Sequence, residues 1–384
     1  MTLKFPNRPG SPNIHRAGKS RLLMSASPAD IRLQNRTVIM RALYPDDSYS
    51  RSELAKLTGM SKVSTSDVVS ELLKEGLLSE GAYRTPHGPG KPSQLIHFNA
   101  ASGAIVSMDL SNVARLRGVV VDLAGKVMHR VEIELPHDEK LDASEVIKLC
   151  RSLLKMCDAC VIGIAVATPG TVNAEGLILE APKLGWVNMN LVKQLGVLAD
   201  CPVVVTNDAD AAVFAEGHFG AGFSDMILVQ IAHGVGAGLL IDNDVVRGKG
   251  FMAGEIGHVV MSDGTCPCVC GKIGCLETMV SAPVLDEAIT NNPDGRDQIL
   301  AQAGHELGRA LAMPVALTNI THVVIAGVPR LVNQTMVDAA QSTIDVLTRS
   351  RFMQAVHVQV STLGEDAAMR GAAGLVLRNV LAVL

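Results

Sequence analysis

Apolar residues near the N-terminus recur at Ile31, Leu33, Val38, Ile39, Ala42 and Leu43, a rough helical period. Ser50 with Glu53 three residues on has the form of a capping box and predicts a short helix over residues 51–57. Thr58-Gly59-Met60 reads as a turn in which Gly59 supplies the positive φ. Ser61 then caps a second helix to about residue 75, with Val68, Val69, Leu72 and Leu73 facing inward and Gly76 ending it. A short helix, a glycine turn and a longer helix make a helix-turn-helix. Two strands follow, at 77–78 and 95–98. The loop between them carries Arg84, Pro86, Gly88, Gly90, Lys91 and Pro92, the composition of a wing.

From Gly103 the periodicity shortens to that of strands. Residues 104–110, 116–123 and 127–135 read as three strands, with Ala124-Gly125 as a hairpin turn. Residues 142–157 form an amphipathic helical pattern. Residues 161–167 are a buried strand ending at Thr168-Pro169-Gly170. Another, 202–206, runs into Asn207-Asp208-Ala209-Asp210, with a helix over 211–217. Three antiparallel strands followed by alternating helices and strands are the order of an actin-like, ribonuclease-H-like lobe. Strands at 226–231, 237–242 and 245–246 begin the order again. Helices to about residue 318, strands at 323–327 and 356–361 and a closing helix over 366–383 complete it. Two lobes imply a cleft between them, a common place for a ligand.

Net charge, −4 over 384 residues, argues by itself against a nucleic-acid partner, but its distribution does not. Residues 1–98 carry 14 Lys and Arg against 8 Asp and Glu; the remainder carries 20 against 30. A basic head on an acidic body fits a DNA-binding module. The outer face of the second helix presents Lys62, Ser64, Ser66 and Ser70, suited to the major groove, and Arg84 and Lys91 of the wing suit phosphates. The same fold also serves dimerisation, which is the alternative. No apolar run approaches membrane-helix length, and the polar N-terminus lacks the apolar core of a signal peptide. Eight cysteines, four of them clustered, fit a reducing cytoplasm and a metal site rather than a disulfide scaffold.

The cluster is Gly254-Glu255-Ile256-Gly257-His258 followed by Cys268-Val269-Cys270-Gly271-Lys272-Ile273-Gly274-Cys275-Leu276-Glu277. One imidazole and three thiolates are the ligands of a closed structural zinc site. Cys268 and Cys270 grip from one turn, and Gly271 and Gly274 fold the chain back to deliver Cys275. Cys266 is an alternative to Cys268, and buried reduced thiols are the alternative to metal. Glu255 and Glu277 bracket the ligands.

These motifs resemble the signature of the ROK family, which comprises repressors, open reading frames and sugar kinases. The resemblance implies zinc on His258, Cys268, Cys270 and Cys275, and a sugar held by Gly170, Asn207, Asp208, Glu255, His258 and Glu277. In the family's kinases the residue matching Asp208 takes the proton of the attacking hydroxyl. Asn207-Asp208 also fits a plain helix N-cap. Of the family's phosphate loops, Asp-x-Gly-Gly-Thr is replaced by Asp109-Leu110-Ser111-Asn112-Val113-Ala114, and the second is partly kept in Ala232-His233-Gly234-Val235-Gly236-Ala237-Gly238. The winged helix of ROK repressors resembles residues 28–98, with Gly90-Lys91-Pro92 for the usual Gly-Arg-Pro and Asp67 where a basic residue is common.

The expected organisation is a flexible basic tail (1–27), a winged helix-turn-helix (28–98), a first α/β lobe (99–210 with 366–384) and a second lobe with zinc (211–365). The expected function is a sugar-responsive transcriptional regulator, a repressor, that binds its sugar without phosphorylating it. Its partners would be double-stranded operator DNA, a sugar or sugar phosphate, and further copies of itself in a homodimer or higher homo-oligomer. The alternatives are an ATP-dependent sugar kinase with an accessory head, and a repressor sequestered by a transport protein.

Overall fold

The computed structural model describes residues 28–84, 92–112, 114–135, 140–352 and 354–384. The tail 1–27 and most of the wing, including Lys91, lie outside the described residues, as does Val113.

The chain opens with α1 (Pro28–Leu43), β1 (Ser48–Ser50), α2 (Arg51–Thr58) and α3 (Lys62–Lys74), then β2 (Leu78–Arg84) and β3 (Ser93–Phe98). The capping box forms as written: Glu53 N donates to Ser50 Oγ at 3.3 Å, and Ser50 N donates to Glu53 Oε2 at 2.8 Å. Gly59 ends α2 at φ +69°, and Ser61 caps α3. Arg36 of α1 clamps α3 through Glu71 and Glu75, at 2.6–2.8 Å. The strands order as β1-β3-β2. Two features escape the hydrophobic pattern. β1 is three residues long, and β2 runs on to Arg84 because its outer half is exposed and carries no apolar signal.

The body starts with β4 (Gly103–Asp109), β5 (Arg115–Asp122), β6 (Val127–Glu134), α4 (Ala143–Leu154) and β7 (Cys160–Thr168). A small antiparallel sheet follows, β8 (Thr171–Val172), β9 (Ile178–Ala181) and β10 (Trp186–Met189), with α5 (Leu191–Leu195). Its short strands gave no sequence signal. β11 (Val203–Asn207) and α6 (Asp208–Phe219) lead into the second half. That half comprises β12 (Met226–Ile231), β13 (Val235–Ile241), β14 (Asp244–Val245), α7 (Glu277–Val280), α8 (Ala282–Asn291), α9 (Arg296–Thr318), β15 (His322–Gly327), α10 (Gln334–Thr348), β16 (His357–Val360) and α11 (Ala367–Val380).

The main sheets are β11-β7-β4-β5-β6 and β14-β13-β12-β15-β16. Each has an antiparallel meander on one side and two parallel strands on the other, so the same order occurs twice. β4 is buried throughout, and β7 beyond its first two residues, which is why they read as continuous apolar runs. α6 begins at Asp208 rather than at 211, which places Asp208 and Asp210 in its first turn. α10 was not anticipated, although Met336, Val337, Ala340 and Ile344 are its buried stripe.

α11 returns to the first sheet and packs along α6. Gly371 is required there, since a Cβ would lie 1.7 Å from the Ala211 carbonyl oxygen. At its far end Leu377, Leu381 and Val383 share one apolar cluster with Ile39 and Leu43 of α1. The N-terminal unit therefore rests on the end of α11.

Candidate functional site

The candidate metal ligands converge. Nitrogen and sulfur donors from His258, Cys268, Cys270 and Cys275 all lie within 4.8 Å of one another. Cys270 and Cys275 Sγ are 3.6 Å apart, and Cys268 Sγ is 3.5 Å from His258 Nδ1. A zinc–sulfur bond of about 2.3 Å sets tetrahedral edges of about 3.8 Å, so the donor set fits that ion. The turns are those expected, with Gly271 at φ +88° and Gly274 at φ +79°. A Cβ on Gly274 would meet the Gly264 backbone at 2.5 Å, which closes the loop tightly. Cys266 is exposed and stands outside the group.

The two bracketing carboxylates face the same histidine. Glu277 Oε1 is 3.5 Å from His258 Nδ1 and accepts from Cys268 Sγ at 3.1 Å. Glu255 Oε2 is 3.8 Å from His258 Nε2. Gly254 lets this segment press on β13: a Cβ there would lie 1.8 Å from the Ala237 carbonyl oxygen.

At the end of β11, Asn207 is the N-cap of α6. Its Oδ1 accepts from Ala209 N and Asp210 N at 2.8 and 3.0 Å, while its Nδ2 donates to Gly170 O at 3.0 Å. Gly170 sits at φ +91°. Asn207 thus joins the two turns named in the sequence, and its cap role is real. Asp208 is only partly accessible, and burial, with Asp109 nearby, raises its pKa to about 6.

Behind Asp208 runs a chain of polar groups that sequence reasoning missed. Ser111 donates to Asp109 Oδ1 through its N–H at 2.9 Å and through its hydroxyl at 2.5 Å. Arg117 Nη2 pairs with Asp109 Oδ2 at 2.5 Å, and its Nη1 pairs with Glu365 at 2.7 Å. Asp109 and Arg117 are 1% and 8% exposed, so this charge pair is desolvated. The available signal was Arg117 itself, an arginine inside an otherwise apolar strand. Arg130 holds the neighbouring Asp366 at 2.6 Å. The chain ends where α11 begins. On the other side Arg247 pairs with Asp210 at 3.2 Å and so ties the Glu255 segment to α6.

In the N-terminal unit Lys62 and Ser70 are exposed, and Ser64 and Ser66 half-buried on the same helix. Ser64 Oγ lies 2.9 Å from Ser61 Oγ. Val63 is 71% exposed beside them, a residue the sequence pattern passed over. Arg84 is paired with Glu53 at 3.0 Å. Among the described residues no helix is long and apolar enough to cross a membrane.

The family model described as "ROK family" matches residues 113–379. A putative xylose repressor from Caldicellulosiruptor sp. (strain Rt8B.4) is 27% identical over 92% of this chain and 97% of its own. The DNA-binding transcriptional dual regulator NagC of Escherichia coli (strain K12) is 23% identical, over 91% and 94%. Among solved structures, a ROK family transcriptional regulator, a homologue of the E. coli MLC protein, superposes with a TM-score of 0.77 at 24% identity. It covers 92% of this chain and 99% of its own. Glucokinases also match, over less of the chain. With the matched model spanning most of the sequence and the doubled sheet in place, the chain belongs to the ROK family.

Proposed function

We propose that the chain is a sugar-responsive transcriptional repressor that binds its effector between the two sheets and does not phosphorylate it. One observation carries the second half of this reading. Asp109, the residue left from the first phosphate loop, is occupied by Arg117 and Ser111. A kinase needs that position open to a nucleotide and its cation. Here an internal guanidinium neutralises it, and bulky side chains replace the glycines that would let backbone N–H groups approach a phosphate.

The sugar is read by Asp208, Glu255, His258 and Glu277, with Asn207 and Gly170 shaping the floor. Hydroxyls that both donate and accept match carboxylates and an imidazole. Zinc on His258, Cys268, Cys270 and Cys275 supplies rigidity and leaves no open position for chemistry. His258 ligates through Nδ1, nearer Cys268, and leaves Nε2 for the ligand side.

Residues 28–98 form a winged helix-turn-helix. Its α3 enters the major groove of operator DNA with Lys62, Ser64, Ser66 and Ser70, and Val63 is suited to a thymine methyl. Arg84 and Lys91 meet phosphates. The remaining domains follow the sequence boundaries, with α11 belonging to the first lobe. The protein acts in the cytoplasm as a homodimer, since two half-sites multiply affinity.

Occupancy reaches the head through α11. Its start is held by Arg117 and Arg130, its middle packs on the helix that begins with Asp208, and its end carries α1. A shift at Asp208 therefore moves one rigid rod. A coupled assay with ATP and a panel of hexoses, pentoses and N-acetylhexosamines tests the reading. It is wrong if any sugar is turned over at about 1 s⁻¹ or faster.

A further inference from the structure

β13 starts beside the cleft and ends on the far side of the second sheet. The loop before it carries Gly234, where a Cβ would lie 2.9 Å from Glu277 Oε2. Its seven residues rise about 3.3 Å each, so the turn after it lies about 20 Å from that loop. Midway along, Gly238 presses on α6: a Cβ there would lie 2.4 Å from the Ala209 carbonyl oxygen. α11 presses on the same turn of α6 through Gly371, at the Ala211 carbonyl. These two close backbone contacts make a pivot between the sheets.

The turn after β13 is stiff. Asp242 and Asn243 both take positive φ, +52° and +62°, the two-residue connection of a tight hairpin. Asp242 N donates to Asp225 Oδ1 at 2.9 Å, and Asn243 N donates to the Ser224 carbonyl at 3.0 Å. So held, the turn offers the Asn243 carbonyl and the Asp244 carboxylate to α11. Arg378 takes both: its Nη1 donates to Asn243 O at 3.3 Å, and its Nη2 pairs with Asp244. The guanidinium also lies 5.7 Å from the ring centroid of Phe214 on α6. Arg378 shares a turn of α11 with Leu377 and Leu381, which join Ile39 and Leu43 of α1 in one apolar cluster.

The cleft and this contact thus sit at opposite ends of β13, with the pivot between them. A rotation that brings the loop before β13 towards Asp208 carries the turn after β13 away from Arg378. The pair is exposed, 34% at Arg378 and 69% at Asp244, so it is weak enough for a ligand to break.

We propose that Arg378 and the Asn243–Asp244 turn form a clasp between the lobes that opposes closure of the cleft. A bound effector releases it and frees the turn of α11 that carries the N-terminal unit. This rests on the cleft being the effector site. Arg378 is a positioning residue: it acts through the lobe geometry and not by touching the effector.

The test compares the full chain with Arg378→Gln, Asp244→Asn and the charge swap Arg378→Glu with Asp244→Arg. Hydrogen exchange read by mass spectrometry, without sugar, reports on the clasp itself. Either single variant should speed exchange about two- to fivefold in peptides covering 240–246 and 376–384, and the swap should slow it again. Calorimetry with xylose, glucose, N-acetylglucosamine and the 6-phosphates of the last two then reports on the lever. Loss of a contact that closure must break makes closure easier. Whichever sugar binds the wild type should therefore bind each single variant about two- to fivefold tighter, and the swap should return its affinity towards the wild-type value. Unchanged exchange in both single variants would overturn the clasp, whatever the sugars do. Faster exchange with sugar affinity unchanged or weakened would overturn the lever and leave the effector cleft standing. No binding by any of the five sugars removes the lever and the cleft reading together.

Discussion

Arg41 of α1 donates through Nε to the carbonyl oxygen of Ala382, 2.7 Å away, and its Nη2 reaches the Leu384 carbonyl. The helix that opens the N-terminal unit is thus fastened to the segment that closes the chain. Those residues are 341 apart in sequence and bring the two functional parts into one apolar cluster. Arg41→Ala should weaken the communication while leaving each site able to bind. In fluorescence anisotropy the sugar-induced change in operator affinity should shrink by about fivefold or more, a typical size for a coupling energy. Sugar affinity in calorimetry should stay within about twofold. An unchanged sugar response in this variant would place the communication elsewhere.

Arg117→Leu should be among the costliest single substitutions in the first lobe. It strands Asp109 in a site only 1% exposed. Removing one partner of a buried pair costs about 3–5 kcal/mol. The double variant Arg117→Leu with Asp109→Leu should recover most of that stability, because the apolar pair leaves no orphaned charge. Urea denaturation of the three proteins measures this. A single variant as stable as the wild type would mean that the pair is not formed.

The stability of the body should fall as pH rises through about 6. Asp208 and Asp210 are both raised to about 6, chiefly by burial, against about 4 in an unfolded chain. A carboxyl whose folded pKa is raised contributes stability fully below its unfolded pKa and loses it as pH climbs through the folded value. The window is therefore about pH 4 to 6 and the slope is negative there. Melting temperature across this range, wild type against Asp208→Asn, checks it. The variant should show a shallower decline, with Asp210 responsible for what remains.

Removing the metal should loosen the second lobe rather than stop a reaction. Purified protein should carry about one zinc per chain. Cys270→Ser, or a strong chelator, should lower the melting temperature by roughly 5–10 °C, because metal binding couples to folding. Metal analysis that finds no zinc in protein purified without chelators would remove this assignment.

Substitutions in the N-terminal unit should separate base reading from phosphate contact. Ser66→Ala or Val63→Ser should change the preferred operator sequence, each altered base contact being worth about 1–3 kcal/mol. Lys91→Ala and Arg84→Ala should weaken binding to all sequences and lower its salt dependence by about one unit of slope each. Arg84 should show the smaller effect, since Glu53 competes for it. A chain lacking residues 1–98 that still binds operator would refute the placement.

Local chemistry made much of this legible. The capping box at Ser50 and Glu53, the turn at Gly59, and the glycines at 271 and 274 each imposed one backbone state, and each stands where the sequence put it. The strand β4 and the buried part of β7 announced themselves as apolar runs. What stayed hidden was non-local. Asn207 read equally as a cap or a ligand because it caps α6 and also holds Gly170, a partner 37 residues away. The Asp109–Arg117 pair joins neighbouring strands through a register that no linear pattern reveals. The small sheet β8–β10 went unseen because strands of two to four residues carry too few alternations to register.

The most direct test of the central claim is operator affinity measured with and without sugar on the same preparation used for an ATP turnover assay. Fluorescence anisotropy of a labelled operator duplex, titrated at fixed salt, supplies the affinity. Xylose, glucose, N-acetylglucosamine and the 6-phosphates of the last two supply the probes. At least one should weaken operator binding by about fivefold or more, with no sugar-dependent ATP consumption. Operator binding indifferent to every sugar, accompanied by turnover in the usual enzyme range of about 1–10³ s⁻¹, would contradict it and make the protein a kinase.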